Sequence, residues 1–512
     1  MAQRAIETIE PASSKDKAAR GPGARELLFG SLWEYAPAPE SRSAVKIAPR
    51  YGHFIGGEFT DGGAPLAVEN PATEEQLSEI LIGGPDEVDR AVRAARRALP
   101  AWRALAPARR AECLYHVGRM IQERSRELAV LETLDNGKPI KETRDVDVPL
   151  AAAHFLYHAG WADKLEYAFP GATVAPLGVC AQVIPWNFPL LMAAWKIAPA
   201  LACGNTVVLK PAETTPLSAA FLAQICAEAG VPPGVVNVVN GDGETGRALV
   251  SHPDVDKVAF TGSTEVGREI RKVLAGTRKR LTLELGGKGA NIVFEDAALD
   301  QAVEGIVNGI WFNQGQVCCA GSRLLVQESI EKTLLEKLRR RLATLRVGDP
   351  LDKNTDLGAI VSGAQKERIL DYVRIGREEG AQMHQLACVL PARGHFVAPT
   401  FFTGVAQSHR IAQEEIFGPV LCVQTFRTPD EALAIANNTP YGLSAGVWSD
   451  KGSKVFAMTR GLRAGVVWGN TFNQFDPASP FGGYKESGFG REGGRHGLLA
   501  YLDVRAASEA RS

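Results

Sequence analysis

The chain has 512 residues, of which 45% are hydrophobic and 22% are charged, as is typical of a folded globular protein. Lys plus Arg number 57 and Asp plus Glu number 58, so the formal net charge is −1. This balance argues against a nucleic-acid binder and against a polybasic membrane surface, because both need an excess of cations. At about 150 residues per domain, the length predicts two or three domains.

The eight cysteines form no CxxC pair, and the closest two are Cys318 and Cys319. This usage favours a reducing compartment, so we expect a cytoplasmic protein. The N-terminus has no apolar signal-peptide core, and the most apolar stretch, 190–209, is interrupted by Lys196, so no membrane span is predicted. Residues 1–50 are predicted to be a flexible extension with one short docked piece, and the alternative is an extension that is wholly disordered.

Hydrophobic periodicity predicts helices over 86–102 and 108–135, the second preceded by Pro107 and ended by Asn136-Gly137. Strands and helices then alternate strictly, which is typical of a parallel sheet that is covered on both faces. The predicted strands are 179–184, 206–210, 235–239, 257–261 and 281–285, and the predicted helices between them are 190–202, 217–229, 244–251 and 264–274. A second α/β unit is predicted after Gly287.

The segment Gly241–Gly246 fits the GxGxxG pattern, follows a predicted strand and opens a predicted helix. Among 52 glycines, chance matches to this short pattern are easy. The segment also does not form the first strand–helix turn of the α/β run, where the dinucleotide fingerprint normally lies. We interpret it as a tight turn between a strand and a helix.

Three segments carry residues suited to acyl-transfer chemistry. Cys318 lies in a glycine-rich loop, 312–321, where backbone N–H groups are free to meet a developing oxyanion. Asn187 lies between two prolines in 183–189, and its amide can donate to an oxyanion. Glu284 lies in an apolar strand, where burial would raise its pKa towards that of a general base. The plainer alternatives are a buried thiol, a proline-braced turn and a carboxylate that satisfies a buried amide.

Two further segments, 210–213 and 414–419, place charges beside prolines or glycines at strand ends. Each is weak evidence by itself, but five such motifs in one α/β chain indicate a site for small molecules. From about residue 54 to about residue 504, the chain resembles the NAD(P)-dependent aldehyde dehydrogenase superfamily. The resemblance rests on the segments 185–189, 260–267, 283–288, 315–321, 414–419 and 480–485.

This resemblance implies the α/β aldehyde dehydrogenase fold, with a Rossmann-like NAD-binding lobe, an α/β catalytic lobe and a small β oligomerisation element. The expected boundaries are 1–50 for the extension, 51–164 and 176–287 for the NAD-binding domain, 288–480 for the catalytic domain, and 165–175 and 481–512 for the oligomerisation element. Because 165–175 is shorter than the hairpin usual in the superfamily, a homodimer is expected rather than a tetramer.

The resemblance also implies residue roles. Cys318 is expected to be the nucleophile, and Asn187 with the Cys318 backbone N–H is expected to form the oxyanion hole. Glu284 is expected to activate water, while Lys196 and Glu492 match a pair implicated in proton relay. The implied NAD contacts are Ile184, Pro185, Trp186, Lys210, Glu213, Gly243, Gly262, Ser263, Gly267, Leu285, Glu415 and Phe417.

Glu213 would accept both hydroxyls of the adenosine ribose and repel a 2′-phosphate, which favours NAD over NADP. The presence of Glu284 favours hydrolysis of the thioester over transfer to coenzyme A. The implied substrate contacts are Phe188, Met192, Trp195 and Phe475. An apolar or aromatic aldehyde is expected, and an aminoaldehyde with a quaternary ammonium group is the alternative. Two other functions remain as alternatives: a non-catalytic scaffold with this fold, and a thioesterase or esterase.

His154 and His158 lie four residues apart on a predicted helix, without the acidic companion of an HExxH motif. We interpret them as packing or solvated histidines, and we expect no metal site. The segment 27–41 is similar to the lead-in of the sixteenth aldehyde dehydrogenase family, whose members usually carry a second, non-catalytic dehydrogenase-like domain. We therefore expect either a single-unit relative or a partner unit located elsewhere.

Overall fold

The computed structural model describes residues 36–506 and the backbone of Glu7–Ile9, so the docked piece predicted within 27–33 lies outside the described residues. The strands, in chain order, are β1 Glu7–Ile9, β2 Arg50–Tyr51, β3 His53–Ile55, β4 Glu58–Thr60, β5 Ala64–Asn70, β6 Glu75–Ile82, β7 Ala172–Pro176, β8 Val179–Val183, β9 Thr206–Lys210, β10 Val236–Val238, β11 Lys257–Thr261, β12 Arg280–Glu284, β13 Ala290–Val293, β14 Arg323–Gln327, β15 Gln382–Leu386, β16 Thr400–Thr403, β17 Val420–Phe426, β18 Ser444–Trp448, β19 Val466–Gly469, β20 Gly488–Phe489 and β21 Leu502–Ala506.

The helices, in chain order, are α1 Pro85–Ala104, α2 Pro107–Glu123, α3 Ser125–Asn136, α4 Ile140–Glu142, α5 Val148–Ala159, α6 Leu165–Ala168, α7 Pro189–Ala202, α8 Leu217–Glu228, α9 Gly243–Ser251, α10 Thr264–Leu274, α11 Leu299–Ile310, α12 Glu331–Leu342, α13 Gly363–Glu378, α14 Arg410–Gln413, α15 Pro429–Asn437, α16 Gly452–Gly461 and α17 Gly494–Leu499. A π-helical turn, Thr143–Asp147, joins α4 to α5.

The chain divides into two compact units, which we call the larger unit and the smaller unit. The larger unit comprises Ser41–Gly286 and Phe475–Ser512. The smaller unit comprises Met1–Glu40 and Gly287–Gln474. The first expected helix, 86–102, and the five strands expected between 179 and 285 all belong to the larger unit, at bounds within one or two residues of the prediction.

The larger unit is built on an eight-stranded sheet with the order β20-β12-β11-β8-β9-β10-β3-β4. Its five central strands, from β12 to β10, run parallel. The chain order reverses between β8 and β11, which are neighbours in the sheet, with Val183 paired to Phe260. Ligands bind at the carboxyl ends of strands at such a switch point. The loops that begin at Ile184 and Gly262 leave the sheet there.

The core of the larger unit explains why the sequences of its strands are continuous apolar runs. All five residues of β9 and of β11 are buried, because helices cover both faces of a parallel sheet. Side chains of α1, α9 and α10 pack against β8, β9, β11 and β12 in one hydrophobic cluster. The start of α1 is fixed locally, since the Glu87 carboxylate accepts the Gly84 N–H at 2.8 Å.

The helix predicted over 108–135 is instead two helices, α2 and α3. The break lies at Arg124, whose φ of −96° and ψ of 19° leave the helical region. The Arg124 N–H closes the last turn of α2 on Met120 O, and its carbonyl accepts the Leu128 N–H that opens α3. The predicted stop is confirmed, because Gly137 ends α3 in the left-handed conformation with φ 89°.

The smaller unit is built on a second eight-stranded sheet, in the order β1-β15-β16-β17-β14-β13-β18-β19. All neighbours are parallel except β15 and β16. Two separate hydrophobic clusters cover it, one with α13 and α14 and one with α15 and α16. Since β17, β14 and β13 are adjacent, the loops that enter their amino ends, 414–419, 311–322 and 287–289, meet at one edge of the sheet.

The segment 165–175, predicted as a short oligomerisation element, contains α6 and most of β7. β7 pairs antiparallel with β21, from Ala172 opposite Ala506 to Pro176 opposite Leu502. These two strands form a sheet of their own within the larger unit. Across the described part of the chain, no helix combines the length and the apolar character that crossing a membrane requires.

Candidate active site

The loop after β8 carries Asn187 at the switch point of the larger unit. It leaves the sheet where the Ile184 N–H donates to Lys210 O at 3.1 Å, and Pro189 begins α7 directly after it. The Trp186 carbonyl accepts a hydrogen bond from the Asn136 side-chain amide at 2.6 Å. Asn187 is buried. The loop therefore presents an amide from a fixed backbone, as the two prolines predict.

The second switch-point segment is the N-terminus of α10. Ser263 caps this helix, and its Oγ accepts the Val266 N–H at 3.3 Å. A Cβ at Gly267 would lie 2.6 Å from Leu285 Cδ2, so the absence of a side chain lets the first turn pack on Leu285. A Cβ at Gly262 would lie 2.5 Å from the Phe260 ring. The free N–H groups of this end suit a pyrophosphate.

The GxGxxG segment is a capped turn, as the interpretation above predicts. Asp242 caps α9, and its Oδ1 accepts the N–H groups of Glu244 at 2.9 Å and Thr245 at 3.2 Å. A carboxylate thus already satisfies the N–H groups that would otherwise meet a phosphate. Gly243, expected to contact the cofactor, is the first residue of α9, and that contact stays a prediction.

Lys210 ends β9 and carries the charge expected to face a ribose. Its Nζ donates to Pro211 O at 2.9 Å and lies 3.4 Å from Glu213 Oε2. Burial lowers the pKa of Lys210, and the neighbouring Glu213 carboxylate opposes that shift. The Glu213 side chain is 43% exposed, which leaves its oxygens accessible to hydroxyl donors.

Glu284 is the last residue of β12, and only 4% of it is exposed. It lies opposite Gly488 of β20. A Cβ at Gly482 would lie 2.7 Å from Glu284 Oε1, so the glycine keeps the space beside the carboxylate free. The sequence analysis assigned no role to Gly482. The available signal was the pair of adjacent glycines, Gly482 and Gly483, in the segment 480–485.

Lys196 of α7 and Glu492 form a buried ion pair, with side chains 0% and 5% exposed. The structure therefore brings together the two residues that were expected to act as a pair. The Lys196 carbonyl is held by Gln182 Nε2 at 2.7 Å.

Lys257, the first residue of β11, is a buried cation that sequence reasoning missed. Its Nζ donates to Thr282 Oγ1 at 2.8 Å, and burial lowers its pKa to about 7. Glu492 and Lys196 both act on it electrostatically, in opposite directions. The signal available in the sequence was a lysine at the start of an otherwise apolar strand.

The expected substrate residues Trp195 and Phe475 lie together, with ring centroids 6.2 Å apart. Phe481, which sequence reasoning did not single out, joins them at 5.4 Å from Trp195 and 5.9 Å from Phe475. The other two expected substrate residues lie at the start of α7, where the Met192 N–H donates to Phe188 O at 2.8 Å.

His154 and His158 are both buried, so the packing interpretation holds and the solvated alternative is wrong. The His154 ring lies 4.8 Å from the Trp195 ring and is stacked at 6.0 Å with the His158 ring. Burial lowers the pKa of both histidines, that of His158 to about 4, so both are neutral at physiological pH.

In the smaller unit, the loop before Cys318 is held in an unusual conformation. Asn313, Gln314 and Gly315 have φ values of 48°, 54° and 72°, all in the left-handed region. For non-glycine residues this costs about 1–2 kcal/mol each. The Gln314 side-chain amide offsets part of this conformational cost, because it donates to Ala359 O at 3.0 Å and accepts the Gly358 N–H at 3.2 Å. Such stored strain is typical of functional loops.

Cys318 is partly exposed, whereas the adjacent Cys319 is buried. The Cys319 side chain, followed by burial and the Glu415 carboxylate, raises the pKa of Cys318 above its usual range. A Cβ at Gly287 would lie 2.3 Å from Cys318 O, so the glycine permits this close approach of two loops. At neutral pH the resting side chain is a thiol, and a base must remove its proton before it attacks.

Glu415 and Phe417 lie in the neighbouring loop, at the amino end of β17. The Gly287 N–H donates to Glu415 Oε1 at 2.9 Å. Burial raises the pKa of Glu415 to about 7. Phe417 adopts the left-handed conformation with φ 59°, and its carbonyl accepts a hydrogen bond from Gln365 Nε2 at 2.9 Å.

A doubly wound unit with a capped helix at its switch point is typical of dinucleotide-binding proteins, and the second unit adds a cysteine in a strained loop. Comparison with known proteins gives the family. The model of the aldehyde dehydrogenase family matches residues 59–507, and the chain belongs to that family.

Individual relatives agree with this assignment. The mitochondrial aldehyde dehydrogenase of Homo sapiens is 44% identical over 504 residues, covering 94% of this chain and 96% of the relative. The NAD⁺ complex of an aldehyde dehydrogenase from Bacillus cereus is 43% identical, with a TM-score of 0.86, and covers 89% of this chain and 96% of that chain. An indole-3-acetaldehyde dehydrogenase solved with NAD⁺ is 42% identical, also with a TM-score of 0.86, and covers 91% and 97%.

Proposed function

We propose that this protein oxidises an aldehyde to a carboxylic acid with NAD. The observation that carries the proposal is the thiol of Cys318, partly exposed in a loop whose backbone is strained at Asn313–Gly315. The relatives solved with NAD⁺ support the cofactor. The capped end of α10 supports it as well, because N–H groups at a switch point favour a pyrophosphate.

In the proposed mechanism, the Cys318 sulfur attacks the aldehyde carbon after its proton has been removed. The Asn187 side-chain amide and the Cys318 backbone N–H donate to the oxyanion that forms on the former carbonyl oxygen. NAD, when bound, accepts the hydride from that carbon. The product left on the enzyme is a thioester between Cys318 and the acyl group.

Glu284 is the proposed general base for hydrolysis of the thioester. Its carboxylate takes a proton from water, the resulting hydroxide equivalent attacks the acyl carbon, and the acid and the Cys318 thiol are released. Burial at the end of β12 and the space kept by Gly482 support this assignment. The proton taken from water returns to the Cys318 sulfur as it leaves, and the buried pair Lys196 and Glu492 would carry away the proton that Cys318 lost before its attack.

One assay tests the activity. We expect NADH to form, followed at 340 nm, when the protein is incubated with NAD and a panel of aldehydes, and we expect Cys318→Ala to abolish it. Ester cleavage without NADH would favour the esterase alternative. NAD binding with neither activity would favour a non-catalytic scaffold.

We propose that the two units contribute different contacts to NAD. The larger unit would hold NAD with Ile184, Pro185, Trp186, Lys210, Glu213, Gly243, Gly262, Ser263, Gly267 and Leu285. The smaller unit would supply the nucleophile, with Glu415 and Phe417 meeting the nicotinamide ribose and ring. Limited proteolysis with and without NAD tests this, because bound NAD should protect linkers in the larger unit first.

For the substrate we propose an apolar or aromatic aldehyde. The aromatic cluster of Trp195, Phe475 and Phe481 supports it, because such a wall binds apolar groups and rings. An aldehyde with a quaternary ammonium group is the second candidate, since aromatic faces attract cations. Ranking phenylacetaldehyde, hexanal and betaine aldehyde by kcat/KM separates the two.

We further propose that the protein is a cytoplasmic homodimer. The eight cysteines are all free thiols, as a reducing compartment maintains them. The short β7–β21 sheet supports an oligomerisation element of limited size. Light scattering behind a sizing column should give twice the 54.9 kDa chain mass, and a fourfold mass would contradict the dimer. Fractionation of cells that express the protein tests the location.

A further inference from the structure

A buried group of ionisable side chains lies directly beneath the loop that carries Asn187. Its members are Glu132 and Asp135 of α3, Lys138 just after that helix, and Asp147 at the end of the π-helical turn. All four are almost completely excluded from solvent. Four buried ionisable groups are costly unless they are paired, and π-helical turns recur at functional sites.

Residues of this group, or next to it in the chain, contact the residues on both sides of Asn187. On one side, Asn136, next to Asp135 in the chain, donates to the Trp186 carbonyl at 2.6 Å. On the other side, Lys138 Nζ lies 3.8 Å from the centroid of the Phe188 ring, within the range of a cation–π contact.

The same group fixes the start of α7, which directly follows Phe188. Glu132 Oε2 accepts the Leu190 N–H at 3.1 Å and the Ser218 hydroxyl at 2.9 Å. Asp135 Oδ2 accepts the Leu217 N–H at 3.0 Å, which places α8 in the same way. Each contact satisfies a helix N–H that has no partner within its own helix.

Among Glu132, Lys138 and Asp147, the charges balance only if the two carboxyls hold one proton. Lys138 Nζ lies 2.6 Å from Asp147 Oδ2, while Glu132 Oε1 and Asp147 Oδ1 have no partner among the described residues when both carboxyls are ionised. Burial raises the pKa of Asp147, although Lys138 opposes the shift, and burial followed by the Asp147 charge raises the pKa of Glu132 to about 8. Burial also raises the pKa of Asp135 well above its usual range.

With its raised pKa, Glu132 keeps a proton at neutral pH and can donate it to Asp147, the carboxylate that Lys138 contacts. The titratable groups that face Glu132 are these two and Asp135. We propose that Glu132, Lys138 and Asp147 are positioning residues that hold the Asn187 amide where the oxyanion forms. This proposal rests on the proposed function, because it needs Asn187 to be the oxyanion donor.

The first test removes the titration but keeps the shape. Glu132→Gln retains an oxygen for Leu190 and an N–H for Asp147, so kcat at pH 7 should stay within about twofold of the wild type. Above pH 8, Glu132 ionises beside Asp147 in the wild type, whereas the glutamine does not. We expect the variant-to-wild-type ratio of kcat to rise about threefold or more between pH 7 and pH 9.5. A ratio that does not change with pH would overturn the proposal.

The second test asks whether Lys138 acts through Asn187. Lys138→Met should lower kcat about 10-fold or more and leave KM for NAD unchanged. In an Asn187→Ala background the same change should cost less than about twofold, because the amide it positions is gone. Equal losses in both backgrounds would contradict positioning, whereas an Asn187→Ala enzyme with full kcat would contradict the proposed oxyanion hole instead.

Asp256→Asn is a matched control at the opposite end of β8. The Asp256 carboxylate accepts the Val179 N–H at 2.8 Å, so its loss weakens the same strand away from Asn187. It should lower the melting temperature and leave kcat unchanged. If Lys138→Met does not fold, the pH series with Glu132→Gln still decides the question.

Discussion

Gly482 leaves space for Glu284: a Cβ at residue 482 would lie 2.7 Å from Glu284 Oε1, closer than two such atoms approach. The same Cβ would also lie 2.7 Å from Gly490 O. The proposed base therefore depends on a glycine that is about 200 residues away in the sequence, and a methyl group there should displace the carboxylate.

We expect Gly482→Ala to slow hydrolysis of the thioester more than its formation. A stopped-flow experiment should show a burst of NADH that keeps most of its amplitude, followed by a steady-state rate about 10-fold or more below the wild type. Gly452→Ala is the control, since a Cβ there meets nothing within 4 Å. Loss of the burst itself would show that the space serves an earlier step.

Loss of the cap should affect cofactor affinity at α10 but not at α9. Ser263→Ala should raise KM for NAD several-fold, because the N-terminus of α10 loses its cap at the switch point. Asp242→Ala should cost about 1 kcal/mol of stability, as lost caps do, with KM for NAD unchanged. The two variants should therefore differ in KM for NAD, and an equal rise in both would show that the cap of α9 contributes to phosphate binding.

Cofactor choice should depend on the carboxylate of Glu213. Its replacement by Gln removes the charge that would repel a 2′-phosphate, while Lys210 stays in place. We expect kcat/KM to fall for NAD and to rise for NADP, with the NAD-to-NADP ratio reduced by about 10-fold or more. Glu244→Gln removes an equally charged but 84% exposed side chain and should leave the ratio unchanged. An unaltered ratio in Glu213→Gln would show that this carboxylate does not discriminate.

Lys257 should make the free energy of unfolding depend on pH above about 7. Its pKa is about 7 in the folded protein and 10.5 when unfolded, so between these values the unfolded chain binds more protons and stability rises with pH. At pH 6 the folded protein holds a buried ammonium, which Lys257→Met removes. We expect this variant to be more stable than the wild type at pH 6 by about 1 kcal/mol or more, in line with the cost of a buried charge.

That advantage should shrink steadily as the pH rises from 7 towards 10.5, because the unfolded lysine gives up its proton only there. Urea unfolding at four pH values across this range measures the decline. Parallel curves for the two proteins across this range would contradict a depressed pKa for Lys257.

Local features of the sequence predicted local structure well. Pro107 and Gly137 bound helices because one has a fixed φ and the other adopts a positive φ of 89°. Continuous β-branched runs predicted the parallel strands of the larger unit, since burial on both faces requires them. The break at Arg124 was not predicted, because it lies in the backbone angles of one residue within a periodic apolar pattern.

The sequence by itself determined which side chains the protein has for chemistry: a thiol in a glycine-rich loop, an amide between prolines and a carboxylate in an apolar strand. Only the tertiary structure decided their surroundings. Lys196 meets Glu492 across 296 positions, Glu132 meets Leu190 across 58, and Gly482 makes room for Glu284. Periodicity and spacing report on neighbours within a turn or a strand, whereas these contacts and the pKa shifts that burial causes exist only once distant segments pack together.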